Sequence, residues 1–375
     1  MMDVEVVHGL MAIEALQPQW DRFFEGMPQR IHAQSHAWMM LQLRHLEEEP
    51  ERVSVALVRE RGDIVAIVPV RHVPPGSAAL RMAKWTLLWH PHSTISPILL
   101  GDHVDVLEVT RGIVAALAHR QEGCDVLLMP SMLEDGRWGE VSRAGARRLL
   151  LSTPCAPSMR FSTASPDSAL ADASAHFRQN LRRQRRKLES LGTTALELAV
   201  GSDAASRAFD AFLEIEASGW KGQAGAASAI RLDPRLLGFY GGLIEGLPAS
   251  QQVWIATLRL DGRPVASNFC IRTDDTLAIL KIGYDESLRQ AAPGNVLLAL
   301  LLETCCADSG IEWVSLVTGP AWAQRWCPQE VPVYSLAVFA PTLRGRALQV
   351  LARGKRALGS LRNRQSAGPS AAQHP

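Results

Sequence analysis

The sequence of 375 residues has almost no net charge and few cysteines. Lys plus Arg (39) nearly balance Asp plus Glu (38), so the overall charge gives no reason to expect a nucleic-acid binder. Six cysteines are scattered along the chain, and none has the C-x-x-C or Cys/His spacing of a metal site. We therefore interpret them as reduced thiols of a cytoplasmic protein and expect no metal.

The chain also lacks recognisable targeting and membrane-spanning segments. Its start, "MMDVEVVHGLMAIEAL", carries acidic residues where a signal peptide would carry a basic patch and an apolar core. No apolar run is long enough to span a bilayer, since even residues 296–302 are followed by Glu303. We expect a protein that is soluble or peripherally attached.

Several common catalytic motifs are missing. The sequence contains no G-x-x-x-x-G-K-[ST], H-E-x-x-H or G-x-S-x-G, and the glycines of "GFYGGLIEG" lack the preceding strand that a dinucleotide-binding fingerprint needs. P-loop, zinc-protease and serine-hydrolase chemistry thereby lose their best sequence support.

The chain contains two similar segments, 53–72 and 253–273. Each is an apolar run, a turn centred on Gly62-Asp63 or Asp261-Gly262, and a second apolar run, which is typical of a β-hairpin. Each is preceded by a candidate amphipathic helix and followed by a strand, a helix and a last strand. With a length suited to two domains, the pattern indicates a diverged duplication, although such units also recur by chance.

Composition suggests four regions. Residues 1–152 form a first domain, and 153–177, rich in Ser, Pro and Ala, form a linker. Residues 178–340 form a second domain that opens with the basic helix "NLRRQRRKLESLG", whose cations include Arg182 and Arg186. Residues 341–375 combine a basic amphipathic helix, suited to an anionic membrane surface, with a disordered end, "SAGPSAAQHP". The cations of the helix "NLRRQRRKLESLG" either face solvent or contact an anionic partner.

The junction "LKIGYDESLRQAAPGNVLL" predicts a strand ending near Tyr284, a sharp turn and a helix starting near Pro293. Such a helix start leaves several backbone amides without partners, and these amides and the helix dipole favour an anion. An ordinary capped helix is the alternative interpretation.

A second segment, "FDAFLEIEASGWKG", places Glu216 and Trp220 on the apolar side of a helix. Burial of a carboxylate raises its pKa towards the range of a general base; alternatively, Glu216 is a carboxylate at the rim that pairs with Lys221 or an arginine. Lys221 could instead hold a phosphate or a sugar carboxylate. Asn268, in the second hairpin strand, either bonds a substrate or is a satisfied core amide.

These motifs, with "GIEWVSLVTGPAWAQRW", lie in an order that resembles the CelD-type branch of the GNAT acyltransferases, which are associated with cellulose and exopolysaccharide synthesis. They are similar at greater distance to the Fem-type aminoacyltransferases of the peptidoglycan bridge, which also have two GNAT-like domains. The resemblance covers roughly residues 178–326. It implies an α/β (α+β) fold of tandem GNAT-like domains, each with a mixed, mostly antiparallel sheet flanked by helices.

The resemblance also implies site roles. "RQAAPGN" resembles the loop that binds the pyrophosphate of acyl-CoA, which makes Arg289, Gln290, Pro293, Gly294 and Asn295 candidate contacts for acetyl-CoA as co-substrate. A direct acyl transfer would use Glu216 as base and Tyr284 as acid. The candidate substrate contacts are Trp220, Lys221, Asn268, Lys281, Arg182 and Arg186.

The sequence departs from the Fem-type pattern at Gln324, which stands where many relatives carry a lysine before the final aromatic residue. The function expected first is acetyl transfer to a sugar, sugar-nucleotide or glycolipid in cell-surface polysaccharide synthesis. The alternatives are a tRNA-dependent aminoacyltransferase and a catalytically silent scaffold. We expect a cytoplasmic protein that can contact the inner face of the membrane through residues 341–365.

Overall fold

The structure is a computed structural model that describes residues 2–74, 82–134, 150–165, 170–219, 221–222 and 225–366, with side chains to residue 355. The described strands are β1 Met2–His8, β2 Val53–Glu60, β3 Asp63–Val73, β4 Lys84–Leu87, β5 Leu99–Leu100, β6 Val126–Leu133, β7 Leu150–Pro154, β8 Ser158–Ser162, β9 Thr194–Val200, β10 Gln251–Leu260, β11 Arg263–Thr273, β12 Thr276–Tyr284, β13 Trp313–Ser315, β14 Gln329–Val331 and β15 Val333–Phe339. The described helices are α1 Leu10–Glu14, α2 Gln17–Glu25, α3 His36–His45, α4 Val106–Ala118, α5 Ala175–Glu189, α6 Ser202–Ser218, α7 Pro234–Gly246, α8 Pro293–Ala307 and α9 Leu343–Ser366. Short 3-10 turns include Ile230–Leu232, Glu286–Ala291 and Ala321–Trp326.

Two sheets organise these elements. The first has the order β1-β2-β3-β4-β6-β15-β7, with β5 beside β3, and the second has the order β14-β8-β13-β12-β11-β10-β9. Within the described strands the pairs are antiparallel except β4 with β6 and β12 with β13. The two parallel pairs occupy equivalent places in the two halves. The predicted architecture, two similar halves that each have a mixed, mostly antiparallel sheet flanked by helices, is confirmed.

Both predicted hairpins form, and their turns have the same backbone conformation. Arg61 and Gly62 join β2 to β3, and Asp261 and Gly262 join β10 to β11, all four with positive φ. Two consecutive residues of positive φ make a turn whose twist matches that of the flanking strands. The first turn therefore lies one residue earlier than the sequence pattern indicated.

The sheets do not follow the boundaries predicted from composition. The segment 153–177, interpreted as a linker, contains β8, which pairs with β13 and β14 in the second sheet. The segment 178–340 ends with β15, which lies between β6 and β7 in the first sheet. Composition could not assign these strands to a sheet because the hydrogen bonds that form them come from distant parts of the chain. The segment predicted to be disordered is 366–375; Ser366 ends α9, and residues 367–375 lie outside the described residues.

The two halves also share a hydrophobic core. Trp38 on α3 packs edge-on against Phe239 on α7, with ring centroids 5.3 Å apart. A Cβ on Gly242 would lie 2.3 Å from Leu41 Cδ2, and one on Gly238 would lie 2.5 Å from His45 Nδ1. Two glycines of "GFYGGLIEG", Gly238 and Gly242, are thus positions where α7 approaches α3 closely.

Candidate active site

The centre of the second sheet contains a strand with one partly unpaired edge. β12 pairs with β11 almost along its whole length, but its parallel pairing with β13 covers only Thr276–Ala278. The rest of β12, up to Tyr284, diverges from β13. Ile282 and Tyr284, in this part of the strand, are exposed.

Helix α6 carries Glu216 to the edge of β12. The amphipathic pattern of α6 buries Phe212 and Leu213, and Glu216 on the same side is only 3% exposed. The helix approaches the strand closely at Gly283, where a Cβ would lie 2.7 Å from Glu216 Cα. Glu216 is therefore a buried carboxylate held against β12, and it does not lie at a rim.

Both carboxylate oxygens of Glu216 have a donor. Lys221 Nζ lies 3.1 Å from Oε1, and the backbone N–H of Ile230 donates to Oε2 at 2.9 Å. Lys221 Nζ also donates to the carbonyl of Ile282 on β12, at 2.8 Å. These bonds satisfy a buried charge that would otherwise be costly, and they tie the α6–α7 connection to β12.

A second cation faces this pair from β12 itself. Lys281 Nζ lies 5.9 Å from the ring centroid of Tyr240 on α7, and its side chain makes no hydrogen bond or ion pair with another described residue. Burial, followed by the charge of Lys221, lowers the pKa of Lys281 to about 8. The negative charge of Glu216 acts in the opposite direction and raises this pKa, but its effect is smaller. The site thus holds two lysines and one carboxylate.

The first half contributes to the same cluster. His92, in the loop after β4, places Nδ1 2.9 Å from the hydroxyl of Tyr240. Burial, followed by the charge of Lys281, lowers the pKa of His92 to about 3. Burial and the charge of Glu216 raise the pKa of Tyr240 well above its usual value. The His92–Tyr240 pair is therefore uncharged at neutral pH, and it joins the two halves beside Lys281.

The predicted turn into α8 is formed, with fewer free backbone amides at the helix start than expected. Ala292 has a left-handed conformation, Pro293 has no N–H, and the amide of Asn295 bonds the carbonyl of Ala292 at 3.0 Å. Among the described residues of this first turn, only Gly294 keeps an N–H without a protein acceptor. A Cβ on Gly294 would meet only the Tyr284 ring, at 3.5 Å.

Helix α5 borders this loop. Lys187 Nζ donates to Gln290 Oε1 at 3.2 Å, and Asn295 Nδ2 donates to Gln184 Oε1 at 3.2 Å. Arg182 is one of the residues that line a groove of about 690 Å³ between α5 and α8, while Arg186 is exposed to solvent. The structure thus brings Lys187, rather than Arg182 or Arg186, next to the predicted acyl-CoA loop.

The sheet divides the remaining candidates between its two faces. Asn268 is buried and pairs in register with Ala256, which belongs to the core under α8. Tyr284 packs on the same side, against Gly294. Lys281 faces α7 on the other side, as does Glu216. The side chains of the two predicted catalytic residues, Glu216 and Tyr284, therefore lie on opposite faces of the sheet.

Other predicted positions lie away from the edge or outside the described residues. Arg289 is exposed. Gln324 and Arg325 are also exposed, while Trp326 is 1% exposed and packs against Phe161 and Phe177. Trp220 is not among the described residues. Among those that are, no group of three or more His, Cys, Asp or Glu side chains could hold a metal ion.

Sequence reasoning missed His92 and Tyr240, and it noted Lys187 only as a cation of the basic helix. Tyr240 is one of only three tyrosines in the chain, and His92 belongs to a "WHPHS" segment with two histidines. Each of these features is a weak indication of a functional residue. No spacing rule could join them, because they lie 148 positions apart in the chain.

Comparison with known proteins bears on the domain and on the fold. Residues 175–326 match the family model described as an acetyltransferase (GNAT) domain, and no curated protein matches the sequence. The fold is similar to the crystal structure of FemX, with 9% identity, a TM-score of 0.57, and coverage of 92% of this chain and 99% of that one.

It is also similar to the C-terminal domain (DUF2156) of a putative lysylphosphatidylglycerol synthetase from Agrobacterium fabrum, with 13% identity, a TM-score of 0.54, and coverage of 90% and 95%. The structure of L-PGS from Bacillus licheniformis is similar with 12% identity, a TM-score of 0.52, and coverage of 89% and 95%. At these identities the similarity concerns the fold alone.

The second half thus contains a GNAT acetyltransferase domain. The prediction that the protein is an enzyme of the acyltransferase class is confirmed. Its placement in the CelD-type branch stays a prediction.

Proposed function

We propose that the protein transfers an acyl group, most simply acetyl, from acyl-CoA to an amine or hydroxyl of an anionic sugar, sugar-nucleotide or glycolipid. The observation that carries this proposal is the unpaired edge of β12, which has a buried carboxylate and two lysines on one face and the start of α8 on the other. A thioester placed at this edge can be reached from both faces.

The residues around α8 fit the anionic end of acyl-CoA. Gly294 offers a backbone N–H at the positive end of a helix, and Lys187 offers a cation next to Gln290. The absence of a side chain at Gly294 lets a phosphate approach the backbone. Acyl-CoA would supply an activated thioester carbonyl, and this loop would hold it beside Tyr284.

The proposed chemistry is direct transfer. Glu216 takes a proton from the acceptor amine or hydroxyl, either directly or through one water, once the acceptor displaces Lys221 from Oε1. The acceptor nitrogen or oxygen forms a bond to the carbonyl carbon, and the carbon–sulfur bond breaks. Tyr284 donates a proton to the departing sulfur. Holding both substrates at one strand edge supplies much of the rate.

The two lysines favour an anionic acceptor. Glu216 neutralises Lys221, which leaves Lys281 without a counter-charge among the described residues. A phosphate or carboxylate of the acceptor would complete this site and compensate for the burial of Lys281. Trp220 and Asn268 remain proposed substrate contacts. A role in cell-surface polysaccharide synthesis of the CelD type is supported only by the resemblance of the sequence motifs.

The direct test is incubation with a panel of radiolabelled acyl-CoAs and cell-envelope extract. The wild type should label a glycan or glycolipid fraction, and Glu216→Gln should lower turnover by about a hundredfold or more, as expected for a lost general base. Acetyl-CoA affinity in calorimetric titration should be nearly unchanged in this variant. Labelling retained at the wild-type rate would return Glu216 to a structural role.

The second candidate is a tRNA-dependent aminoacyltransferase. It is favoured by Arg182 and Arg186, which are exposed on α5 and make no ion pair with another described residue. Binding of tRNA through these arginines would weaken steeply with salt. Binding of aminoacyl-tRNA, with no binding of acetyl-CoA, would favour this function, and activity with neither donor would favour the scaffold.

The proposal includes contact of residues 341–365 with an anionic membrane, from the cytoplasmic side. Among the described residues, no helix has the length and apolar character needed to cross a bilayer. Surface contact would bring the site to lipid-linked acceptors.

A further inference from the structure

Helix α9 is attached to the first half along one side only. Leu348 is 8% exposed and packs with Val126 and Phe339, and Arg344 pairs with Asp125 at 3.2 Å. Gly345 fits tightly, since a Cβ there would lie 2.2 Å from the carbonyl oxygen of Ala340. This contact fixes which side of the helix faces away from the protein.

The outward side is apolar. Leu343 is 89% exposed, Val350 68% and Leu351 55%, and Ala347 is also exposed. At 3.6 residues per turn, positions 343, 347, 350 and 351 form one stripe, and the buried Gly345 and Gln349 lie on the opposite side of the helix. In sequence, the same spacing continues to positions 354, 358 and 361. Exposed leucines at helical spacing are unusual in a protein surface that contacts only water.

Cations flank this stripe on both sides, and acidic residues are missing. Arg346 lies on one flank and Lys355 on the other, and both are exposed. Between positions 341 and 366 the sequence has no Asp or Glu. An apolar stripe bordered by Lys and Arg is the arrangement in which a helix lies in a bilayer interface, with its cations reaching the headgroups.

We propose that the outward face of α9, formed by Leu343, Ala347, Val350 and Leu351, inserts into the interface of an anionic bilayer while the inward face stays packed on the first half. An anionic bilayer is the one occupant that matches both the apolar stripe and the unopposed cations. This inference rests on the membrane contact proposed above and is independent of the acyl-transfer chemistry.

The test is co-sedimentation of the full chain with vesicles of phosphatidylcholine containing increasing phosphatidylglycerol. Binding should rise with anionic content. The triple variant Leu343→Ser/Val350→Ser/Leu351→Ser should lose binding by at least about tenfold, since each buried apolar side chain contributes to partition. Arg346→Glu/Lys355→Glu should also lose at least about tenfold, because each cation near the surface contributes about fivefold.

Matched controls carry the same chemical changes elsewhere. Met11→Ser/Leu191→Ser/Leu237→Ser removes three exposed apolar side chains from other elements, and Arg111→Glu/Arg207→Glu makes the same change in net charge on exposed positions of α4 and α6. Both should bind vesicles as the wild type does.

Equal binding by the wild type and the triple variant would overturn the proposal, and so would binding that does not depend on anionic lipid. A dimer in analytical ultracentrifugation that the triple variant disrupts, without vesicle binding by the wild type, would identify the face as a contact between two copies and overturn it as well. Acetyl-CoA affinity measured without vesicles reports separately on the proposed function.

Discussion

Among single residues, Gly283 controls how closely α6 approaches β12. Its missing side chain leaves room for the backbone of Glu216, because a Cβ would lie 2.7 Å from Glu216 Cα and 2.9 Å from its nitrogen. These neighbours are backbone atoms, so they cannot rotate away. The position of the buried carboxylate therefore depends on a glycine in the facing strand.

We expect Gly283→Ala to lower the free energy of unfolding by about 1–3 kcal/mol, the usual cost of an overpacked contact. Turnover should fall as well, because Glu216 is displaced from Lys221. Gly241→Ala is the control: a Cβ there meets nothing within 4 Å, and alanine in a helix interior should add about 0.5–1 kcal/mol. Chemical denaturation measures both, and a Gly283→Ala variant as stable as the wild type would contradict the close contact.

Lys281 is a cation whose burial opposes stability. Its pKa falls from 10.5 to about 8, first because of burial and then because of Lys221. The folded protein thus binds the proton less tightly than the unfolded chain does. The burial of the charged Lys281 ammonium therefore lowers the free energy of unfolding by its full amount below pH 8. This loss of stability becomes smaller as the pH rises from 8 to 10.5.

Lys281→Met should therefore raise the free energy of unfolding at pH 7 by at most about 3 kcal/mol. The difference in the free energy of unfolding between the variant and the wild type should become smaller as the pH rises from 8 to 10.5. Exposed Lys355→Met is the matched control. If Lys281 binds an anionic acceptor, the same variant should raise the acceptor KM. An unfolding free energy that does not change relative to the wild type across this pH range would show that Lys281 is not destabilised by burial.

At the scale of elements, the start of α8 is the critical junction. It combines a left-handed Ala292, a proline without N–H and a glycine with a free N–H. A ligand phosphate must come within hydrogen-bonding distance of the Gly294 backbone. The protein itself leaves room there, since a Cβ would meet only the Tyr284 ring at an ordinary distance.

Gly294→Val should lower acetyl-CoA affinity by about tenfold or more, as expected when a charge-assisted hydrogen bond is lost, with little change in melting temperature. Gly294→Ala is the milder control and should lose less affinity. Calorimetric titration measures both. Unaltered affinity in the valine variant would remove the acyl-CoA site from this loop.

At the scale of the whole molecule, each sheet includes a strand from outside the domain boundaries that the sequence predicted. β15 lies between β6 and β7 in the first sheet, and β8 lies between β13 and β14 in the second. The halves also meet through Arg30, which pairs with Asp274 through a guanidinium–carboxylate contact. We expect the two halves to unfold together.

A chain of residues 1–152 should therefore lack a cooperative thermal transition and near-ultraviolet circular dichroism, because β6 would lose its β15 partner and expose its edge. The comparison is a chain ending at residue 342, which keeps β15 and removes only α9. It should unfold cooperatively. Cooperative unfolding of residues 1–152 would show that the first half is an independent domain.

Local pattern predicted much of the fold. The hairpins, the strand-to-helix junction before Pro293 and the buried side of α6 follow from alternation, helical spacing and turn residues, which act between near neighbours. The same signals placed Glu216 on an apolar face and Lys221 near it. They could not place β8 and β15, because a short strand is formed by hydrogen bonds to partners far away in sequence.

By itself, the sequence determined the two hairpins, the junction before α8, the repeated plan of the two halves and the amphipathic character of α9, since these properties reside in spacing along the chain. Only the tertiary structure decided that His92 meets Tyr240, that Lys281 lies beside the Glu216–Lys221 pair, that Lys187 borders the α8 loop, and which side of α9 faces outward. Each of these depends on packing between segments far apart in sequence, where burial and charge act through space.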